Sequence, residues 1–184
     1  MNRYLAVAAA VAVGLATLAV TDPFHLRHGG AYAAVLVTLA ILLVTVLGVR
    51  LLRGRLARVV AGVLGGLVAV GWLGLVWLAV SFAGDERVEE VVPSGGRLSL
   101  VLVRGHAFAE PVYSVRLRAG SGPFAQESTV WQGLGEGAPP TGFRFREGDI
   151  VEVVAAQFCG YRSSFDPVTL DVDPVHRPLR LDGC

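Results

Sequence analysis

Histidines are the residues of this chain best suited to metal chemistry, and there are only four of them. His25 and His28 stand three residues apart, a spacing that places two imidazoles on one face of a helix for an ion such as zinc. A closed zinc site needs four ligands, and no cysteine or third histidine lies near them in sequence. The favoured interpretation is that these two histidines lie at a membrane interface and bind no metal. The sequence predicts no bound metal and no cofactor.

The two cysteines, Cys159 and Cys184, both lie near the C-terminus. They do not form a CxxC redox motif, and two cysteines in a small domain outside the cytoplasm are more often paired than free. Closing this loop would stabilise the domain by about 3 to 4 kcal/mol on a chain-entropy estimate. We therefore predict a disulfide between them. A free thiol and an intermolecular bridge through Cys184 are the alternatives.

No catalytic motif is found in the sequence: a nucleophile elbow, a zinc-binding helix, a phosphate loop and a calcium loop are all missing. Asp166, Asp171 and Asp173 suit turns and a solvated strand face better than a calcium site. His106 and His176 each stand alone, so an envelope hydrolase would need the fold to bring one of them to an acid and a serine. The prediction is that the protein is not an enzyme.

All sixteen basic residues are arginine, which together with frequent Ala, Gly and Val suggests a GC-rich bacterial source. Arginines at strand positions could form a patch for anionic lipid headgroups or an acidic polymer, because guanidinium groups match phosphate and carboxylate. Pairing with glutamates across strands is the favoured alternative. Charge and motif give no indication of nucleic-acid binding. The arginines are Arg104, Arg116, Arg118, Arg144 and Arg146, and the glutamates are Glu89, Glu90, Glu127 and Glu152.

The elements that must position these residues change in character at residue 84. Hydrophobic residues make up 53% of the chain and charged residues 17%, which is too apolar for an ordinary soluble domain. Three apolar segments occupy residues 5–20, 31–49 and 59–82. Since a membrane-spanning helix needs about 20 residues, we predict three transmembrane helices within residues 1–84. The first segment is short, and a cleaved signal peptide is its alternative.

The loop between the second and third apolar segments is rich in arginine. Basic residues in short loops between membrane spans stay on the cytoplasmic side. We therefore expect a multi-pass cell-membrane protein with a cytoplasmic N-terminus and with residues 85–184 outside the cytoplasm. The residues that determine this topology are Arg50, Arg53, Arg55 and Arg58.

No Asp, Glu, Arg or His lies inside the three apolar segments. Proton relays and ion paths usually require one, so a transporter or pump acting alone is not expected. Small residues recur at four-residue spacing in two segments, and such stripes let helices approach closely. We predict that the two stripes pack against each other within the chain, with a dimer seam as the alternative. They are Ala6, Ala10 and Gly14, and Gly62, Gly66 and Gly74.

After residue 84 the apolar pattern takes a period of two, which is typical of strands with one buried and one solvated face. Turn sequences such as Glu147-Gly148-Asp149 separate these runs. The pattern favours an extracytoplasmic antiparallel β-sandwich, with a small β-barrel as the alternative. Predicted strands cover residues 98–103, 113–118, 143–146, 150–158 and 170–173, with weaker candidates at 87–92, 125–131 and 177–181.

Together these features predict a membrane-anchored β-domain that acts as a non-enzymatic binding module at the bacterial cell envelope. Its expected partners are the lipid bilayer, a membrane or envelope protein, and a second copy of the chain. Aromatic residues and arginine are enriched at binding hot spots, so the candidate surfaces are the 133–142 loop with Trp131 and the 159–165 segment with Tyr161 and Arg162. The alternative function is an accessory subunit of a larger transport or envelope complex, acting through its transmembrane helices.

Overall fold

The computed structural model describes residues 2–82, 86–107, 110–133, 139–155 and 159–178. Three helices come first: α1 (Asn2–Thr21), α2 (Gly29–Leu51) and α3 (Arg55–Phe82). Each is long and apolar enough to cross a membrane, which indicates a membrane protein. The helices contain the predicted segments and begin a few residues before them, because helix formation continues into the flanking polar residues.

The chain forms two compact units. The first contains the three helices. The second contains the chain after α3 together with Phe24–Arg27, a short piece of the connector between α1 and α2. This division differs from the predicted one at residue 84, because four residues from between the first two helices belong to the β-unit.

Helix α2 packs against both α1 and α3. The buried residues of α1 are Ala9, Ala12 and Ala16, at 3, 4 and 7% exposure. They do not coincide with the predicted stripe, whose Ala6 and Ala10 are exposed. Small side chains at the buried positions let α1 approach α2 closely.

The predicted contact between the small-residue stripes of α1 and α3 is wrong. A Cβ added at Gly14, Gly66 or Gly74 would meet no atom within 4 Å, whereas one at Gly65 would overlap the side chain of Thr45. The close approach of α3 is therefore to α2, one position away from the predicted stripe. Every face of each helix carries apolar residues, so the spacing of small residues alone does not indicate which face packs against another helix.

The strands after α3 form two antiparallel four-stranded sheets. Sequence neighbours pair in each, in the orders β1-β2-β3-β4 and β5-β6-β7-β8. The strands of the first sheet are β1 (Arg87–Pro93), β2 (Leu98–Ala107), β3 (Glu110–Ala119) and β4 (Gln126–Gln132). Those of the second are β5 (Gly142–Arg146), β6 (Ile150–Val154), β7 (Gly160–Phe165) and β8 (Val172–Asp173).

Buried apolar side chains of both sheets belong to one hydrophobic core. Leu100 and Leu117 of the first sheet and Val153 of the second are fully buried within it. The alternate residues Val101 and Val103 of β2 are buried as well, although a solvated face was expected there. The register partners of Val101 are Val91 on β1 and Arg116 on β3, so side chains of both neighbouring strands lie beside it on that face.

Strand β7 has no counterpart among the predicted strands. Its alternate residues Tyr161, Ser163 and Phe165 are the less exposed ones, but a polar residue holds the middle position. Ser163 is 2% exposed, and its Oγ donates a hydrogen bond to Pro174 O at 2.7 Å. A buried hydroxyl can be satisfied by a backbone hydrogen bond. Because serine is not hydrophobic, the alternation of buried and exposed residues in β7 does not appear as an alternation of hydrophobic and polar residues in the sequence.

Two other predicted strands are shorter than expected. Strand β6 ends at Val154, and residues 156–158 of the predicted strand lie outside the described residues. Strand β8 covers only Val172–Asp173, because Leu170 takes a left-handed φ of 58° that a strand does not allow. Of the weak candidate at 177–181, residues 177 and 178 are not in a strand, and the rest lies outside the described residues.

Candidate functional site

Three arginines surround Glu152 on one face of the second sheet. Arg144 on β5 and Arg162 on β7 are the register partners of Glu152 on β6, so the three residues form a row across the sheet. Arg146 lies two positions after Arg144 and therefore projects from the same face. Arg144, Arg146 and Arg162 are called the arginine triad below.

The glutamate holds all three arginines by hydrogen bonds. Its Oε2 accepts from Arg144 Nε at 2.7 Å and from Arg146 Nε and Nη2 at 2.9 and 2.7 Å. Its Oε1 accepts from Arg162 Nε at 3.1 Å. One carboxylate thus fixes the orientation of three guanidinium groups.

A tight hairpin sets the register of this site. Gly148 and Asp149 take left-handed φ values of 79° and 56°, and Arg146 pairs with Ile150 across the turn. Glycine adopts such a φ without steric cost, as the predicted turn at 147–149 requires. Because a slip of one residue would turn every side chain to the other face, this turn determines that Arg144 stands opposite Glu152.

Positive charge exceeds negative charge at the triad. The side chain of Glu152 is 7% exposed, whereas those of Arg144, Arg146 and Arg162 are 57, 44 and 71% exposed. Hydrogen bonds from Arg144 and Arg146 lower the pKa of Glu152 to about 2, so the carboxylate is ionised at neutral pH. Among the residues that the structure describes, no second carboxylate lies within ion-pair distance of the triad.

A comparable cluster in the first sheet is closer to charge balance. Glu127 on β4 accepts from Arg116 and Arg118 on β3 at 2.8 and 2.6 Å, and Arg116 also pairs with Glu86. Burial raises the pKa of Glu127, but hydrogen bonds from the two arginines outweigh it and lower that pKa. Arg116 and Arg118 are only 22 and 17% exposed. The predicted cross-strand pairing is therefore confirmed, and here it leaves little guanidinium surface free.

The connector Phe24–Arg27 adds to the first sheet at β4. Leu26 forms an antiparallel bridge with Gln126, and the side chain of Gln126 donates to Phe24 O at 2.9 Å. Two backbone hydrogen bonds of 2.8 Å complete the contact, from Arg27 N to Ala125 O and from Glu127 N to His25 O. The first half of the open edge of β4 is thereby paired.

The second half of that edge is paired by residues that follow β8. His176 N donates to Val130 O at 3.0 Å, and Gln132 N donates to His176 O at 2.9 Å, in a parallel bridge with Trp131. Covering an edge strand prevents it from pairing with other chains. The described part of β4 is thus flanked by β3 on one side and by two separate chain segments on the other.

No match was found among protein-family models, curated proteins or solved structures. The function must therefore be inferred from the residues of this chain.

Of the three predicted surface residues, only Arg162 is exposed. Trp131 is 3% exposed and belongs to the core, so its predicted place on a binding surface is wrong. Its side chain packs among core residues of both sheets, which explains the burial, and its Nε1 has no acceptor among the described residues. Tyr161 is half-buried, with its ring centroid 5.0 Å from that of His176. Residues 134–138 of the predicted loop surface lie outside the described residues.

The cysteine and loop arginine predictions have different outcomes. Cys159 is buried, at 4% exposure, but Cys184 lies outside the described residues, and their disulfide stays a prediction.

The loop arginines are exposed and lie between α2 and α3 or at the ends of these helices. Arg58 donates from Nε to Leu52 O at 2.8 Å. The four residues are Arg50, Arg53, Arg55 and Arg58.

One of the aspartates and two of the histidines considered for metal or catalysis have structural partners. Asp166 accepts hydrogen bonds from the backbone amides of Thr169 and Val168 at 2.9 and 2.7 Å, and these bonds lower its pKa. The ring Nδ1 of His25 lies 3.1 Å from Thr169 O, and the ring Nε2 of His176 lies 3.0 Å from Arg162 O. Within the described ranges, no three His, Cys, Asp or Glu residues are grouped as a metal ion requires.

The sequence pattern does not show that Arg162 joins Arg144 and Arg146. Bringing Arg162 beside Arg144 and Arg146 requires β7, and this strand is not predicted because its buried residue Ser163 is polar. One signal was present: Glu152 is the only acid in an otherwise apolar run from residue 150 to 156. Because buried charges are paired, a lone carboxylate in an interior strand indicates basic neighbours on the adjacent strands.

Proposed function

We propose that this protein is a membrane-anchored, non-enzymatic binding module of the bacterial cell envelope. Its three helices cross the cell membrane, and its two sheets form an extracytoplasmic β-sandwich that contacts another protein or an envelope component. The arginine triad is the observation that carries this proposal, because it combines three exposed side chains with an excess of positive charge. Arginine is among the residues most enriched at binding hot spots.

The proposed orientation is supported by the position of the connector. Phe24–Arg27 precedes α2 and pairs with β4, which follows α3. If α2 and α3 both cross the bilayer, the connector and the β-unit lie on one side and the arginine-rich loop lies on the other. Basic loops are retained in the cytoplasm, so the β-unit is extracytoplasmic.

The proposed disulfide fits this orientation. Cys159 immediately precedes β7 and is buried, and an oxidising compartment favours pairing over a free thiol. The bond to Cys184 would tie the end of the chain to the strand that carries Arg162.

A second candidate function is an accessory subunit that packs against a larger complex through its helices. The specific support is α3, in which no described residue is buried and in which Gly66 and Gly74 face open space. A groove of about 750 Å³, lined almost entirely by apolar residues such as Ala34, Trp72 and Val76, also lies between the helices.

Crosslinking and co-purification of the full-length protein from native membranes would test the two functions. Two single variants are compared with the wild type: Arg162→Gln, which changes the triad, and Gly66→Leu, which adds bulk on the open face of α3. Gly66 is chosen over Gly65 because a side chain at Gly65 would collide with Thr45 within the chain.

We expect the partner to be recovered with Gly66→Leu and to be reduced with Arg162→Gln. Loss of the partner with Gly66→Leu alone would favour the accessory subunit instead. A partner retained at the wild-type level by both variants would contradict both proposals.

A further inference from the structure

The arginine triad differs from the other ion pairs of the β-unit in its free hydrogen-bonding capacity. Each guanidinium carries five N–H donors, and the contacts with Glu152 use the three Nε groups together with Nη2 of Arg144 and Nη2 of Arg146. In the described part of the chain, no acceptor bonds to the Nη1 groups of the triad. By contrast, Arg116 of the first sheet donates from Nε, Nη1 and Nη2 to Ser114, Glu127 and Glu86.

The triad is also organised before any ligand arrives. Glu152 lies beneath the three arginines, at 7% exposure, and holds each of them by Nε. Fixing long side chains in advance reduces the entropy lost on binding. The exposed ends of the guanidinium groups can then meet an anion without rearrangement of the sheet.

The charge of the site selects the class of anion. Three arginines and one carboxylate leave two positive charges, which a phosphate monoester or diester complements with a charge between about −1 and −2. The oxygens of a phosphate group project tetrahedrally and can meet guanidinium groups on several sides, whereas the two oxygens of a carboxylate lie in one plane.

We propose that Arg144, Arg146 and Arg162, arranged by Glu152, form a binding site for the phosphate group of an anionic envelope ligand. This inference rests on the proposed binding function and names its ligand class. Two sources supply the same chemistry outside the cytoplasm: the headgroup of an anionic phospholipid and a phosphodiester polymer of the envelope.

Binding to the full-length protein in an uncharged detergent separates these sources. One arm measures fluorescence anisotropy of labelled poly(glycerol phosphate). The other measures calorimetric titration with short-chain phosphatidylglycerol, with short-chain phosphatidylcholine as the neutral reference. The variants are Arg162→Gln and Arg144→Gln, and Arg104→Gln is the control because it removes one exposed arginine charge from the same β-unit outside the triad.

The triad variants should each weaken binding by about tenfold, since the net contribution of a hydrogen bond to a charged group corresponds to about that factor or more, and Arg104→Gln should change it by less than about twofold. A loss in the polymer arm alone identifies the polymer as the source, a loss in the lipid arm alone identifies the headgroup, and a loss in both shows recognition of phosphate in either. Each of these results supports the site.

Equal affinities for the triad variants and the control, or no binding in either arm, would overturn the proposal. So would an equally strong and equally triad-dependent interaction with a carboxylate polymer of matched charge. Arg162→Lys guards against misfolding as the cause, because it keeps the charge and should lose only part of the affinity. If phosphate does not bind while partner recovery still depends on Arg162, the binding function stands and only the ligand class fails.

Discussion

Glu152 illustrates how one residue can determine the chemistry of a whole sheet face. Its carboxylate is covered by the arginines that it holds, and it is accessible to solvent over only 7% of its side chain. Replacing any one arginine leaves two others to neutralise it, whereas replacing the glutamate leaves three like charges close together. Glu152 should therefore tolerate substitution less well than any single member of the triad.

The pH dependence of stability follows from the ionisation of Glu152. Its pKa of about 2 lies below the ordinary value of 4.5, so the folded state favours the ionised form. This stabilisation is complete above about pH 4.5 and is lost as the pH falls from there toward about pH 2. Thermal unfolding of the full-length protein in detergent, followed by circular dichroism, should show the Tm falling through this interval.

Substitution of Glu152→Gln should lower the Tm at neutral pH and flatten its dependence below pH 4.5. Glu147→Gln is the matched control, because Glu147 is an exposed carboxylate in the adjacent hairpin. If the two variants had the same Tm profile as the wild type, the pairing of Glu152 with the triad would contribute nothing to stability.

At the scale of elements, the connector between α1 and α2 acts as an additional strand of the first sheet. Its backbone amide at Arg27 donates to Ala125 O at 2.8 Å. We expect Arg27→Pro to remove this donor and destabilise the β-unit by about 1 kcal/mol. Arg27→Ala is the control, since it removes the side chain near Glu127 but keeps the amide.

Hydrogen–deuterium exchange reports on the same contact directly. Amides of residues 125–127 should exchange faster in Arg27→Pro than in Arg27→Ala. Identical exchange in the two variants would show that the connector does not cover the edge of β4.

Patterns of hydrophobicity predict most of the helices and strands, and their failures have physical causes. A period of two located β2, β3 and β5 because their inward positions are apolar, whereas β1 and β4 were only weaker candidates. The pattern missed β7 because its buried middle residue, Ser163, is polar and is accommodated in the interior by a hydrogen bond. The residues around Glu152 were predicted as separate pairs, since convergence on one carboxylate depends on the register of three strands.

The contacts between helices were less predictable for a different reason. In apolar helices every face has similar composition, and small residues occur both at contacts and away from them. Gly65 and Gly66 are adjacent in sequence, but only Gly65 lies against α2. The difference depends on the rotation of α3, which the spacing of glycines does not determine.

At the scale of the whole molecule, charge is distributed unevenly along the chain. Residues 1–84 carry six arginines and one acid, a net charge of +5, and residues 85–184 carry ten arginines and fourteen acids, a net charge of −4; the sum is the total of +1. Topology depends on basic residues in short loops rather than on net charge, so within the first half it is the four arginines of the α2–α3 loop that favour a cytoplasmic loop and an extracytoplasmic β-unit.

Thiol labelling of intact cells tests this orientation. Ser121→Cys places a thiol in the exposed turn between β3 and β4, and Arg53→Cys places one in the exposed α2–α3 loop. An impermeant maleimide should label Ser121→Cys on intact cells, and Arg53→Cys only after permeabilisation, with the wild type as the background. The reverse pattern would place the β-unit in the cytoplasm.

The pairing of Leu26 with Gln126 has a consequence for how the protein is made. The connector leaves the ribosome long before β4, and it has no strand to join until α2, α3 and the first three strands have been synthesised. In the proposed topology, a chain in which either α2 or α3 failed to insert would hold the connector and β4 on opposite sides of the bilayer, and the edge of β4 would remain open to pairing with other chains. Completion of the first sheet would then depend on the insertion of both helices.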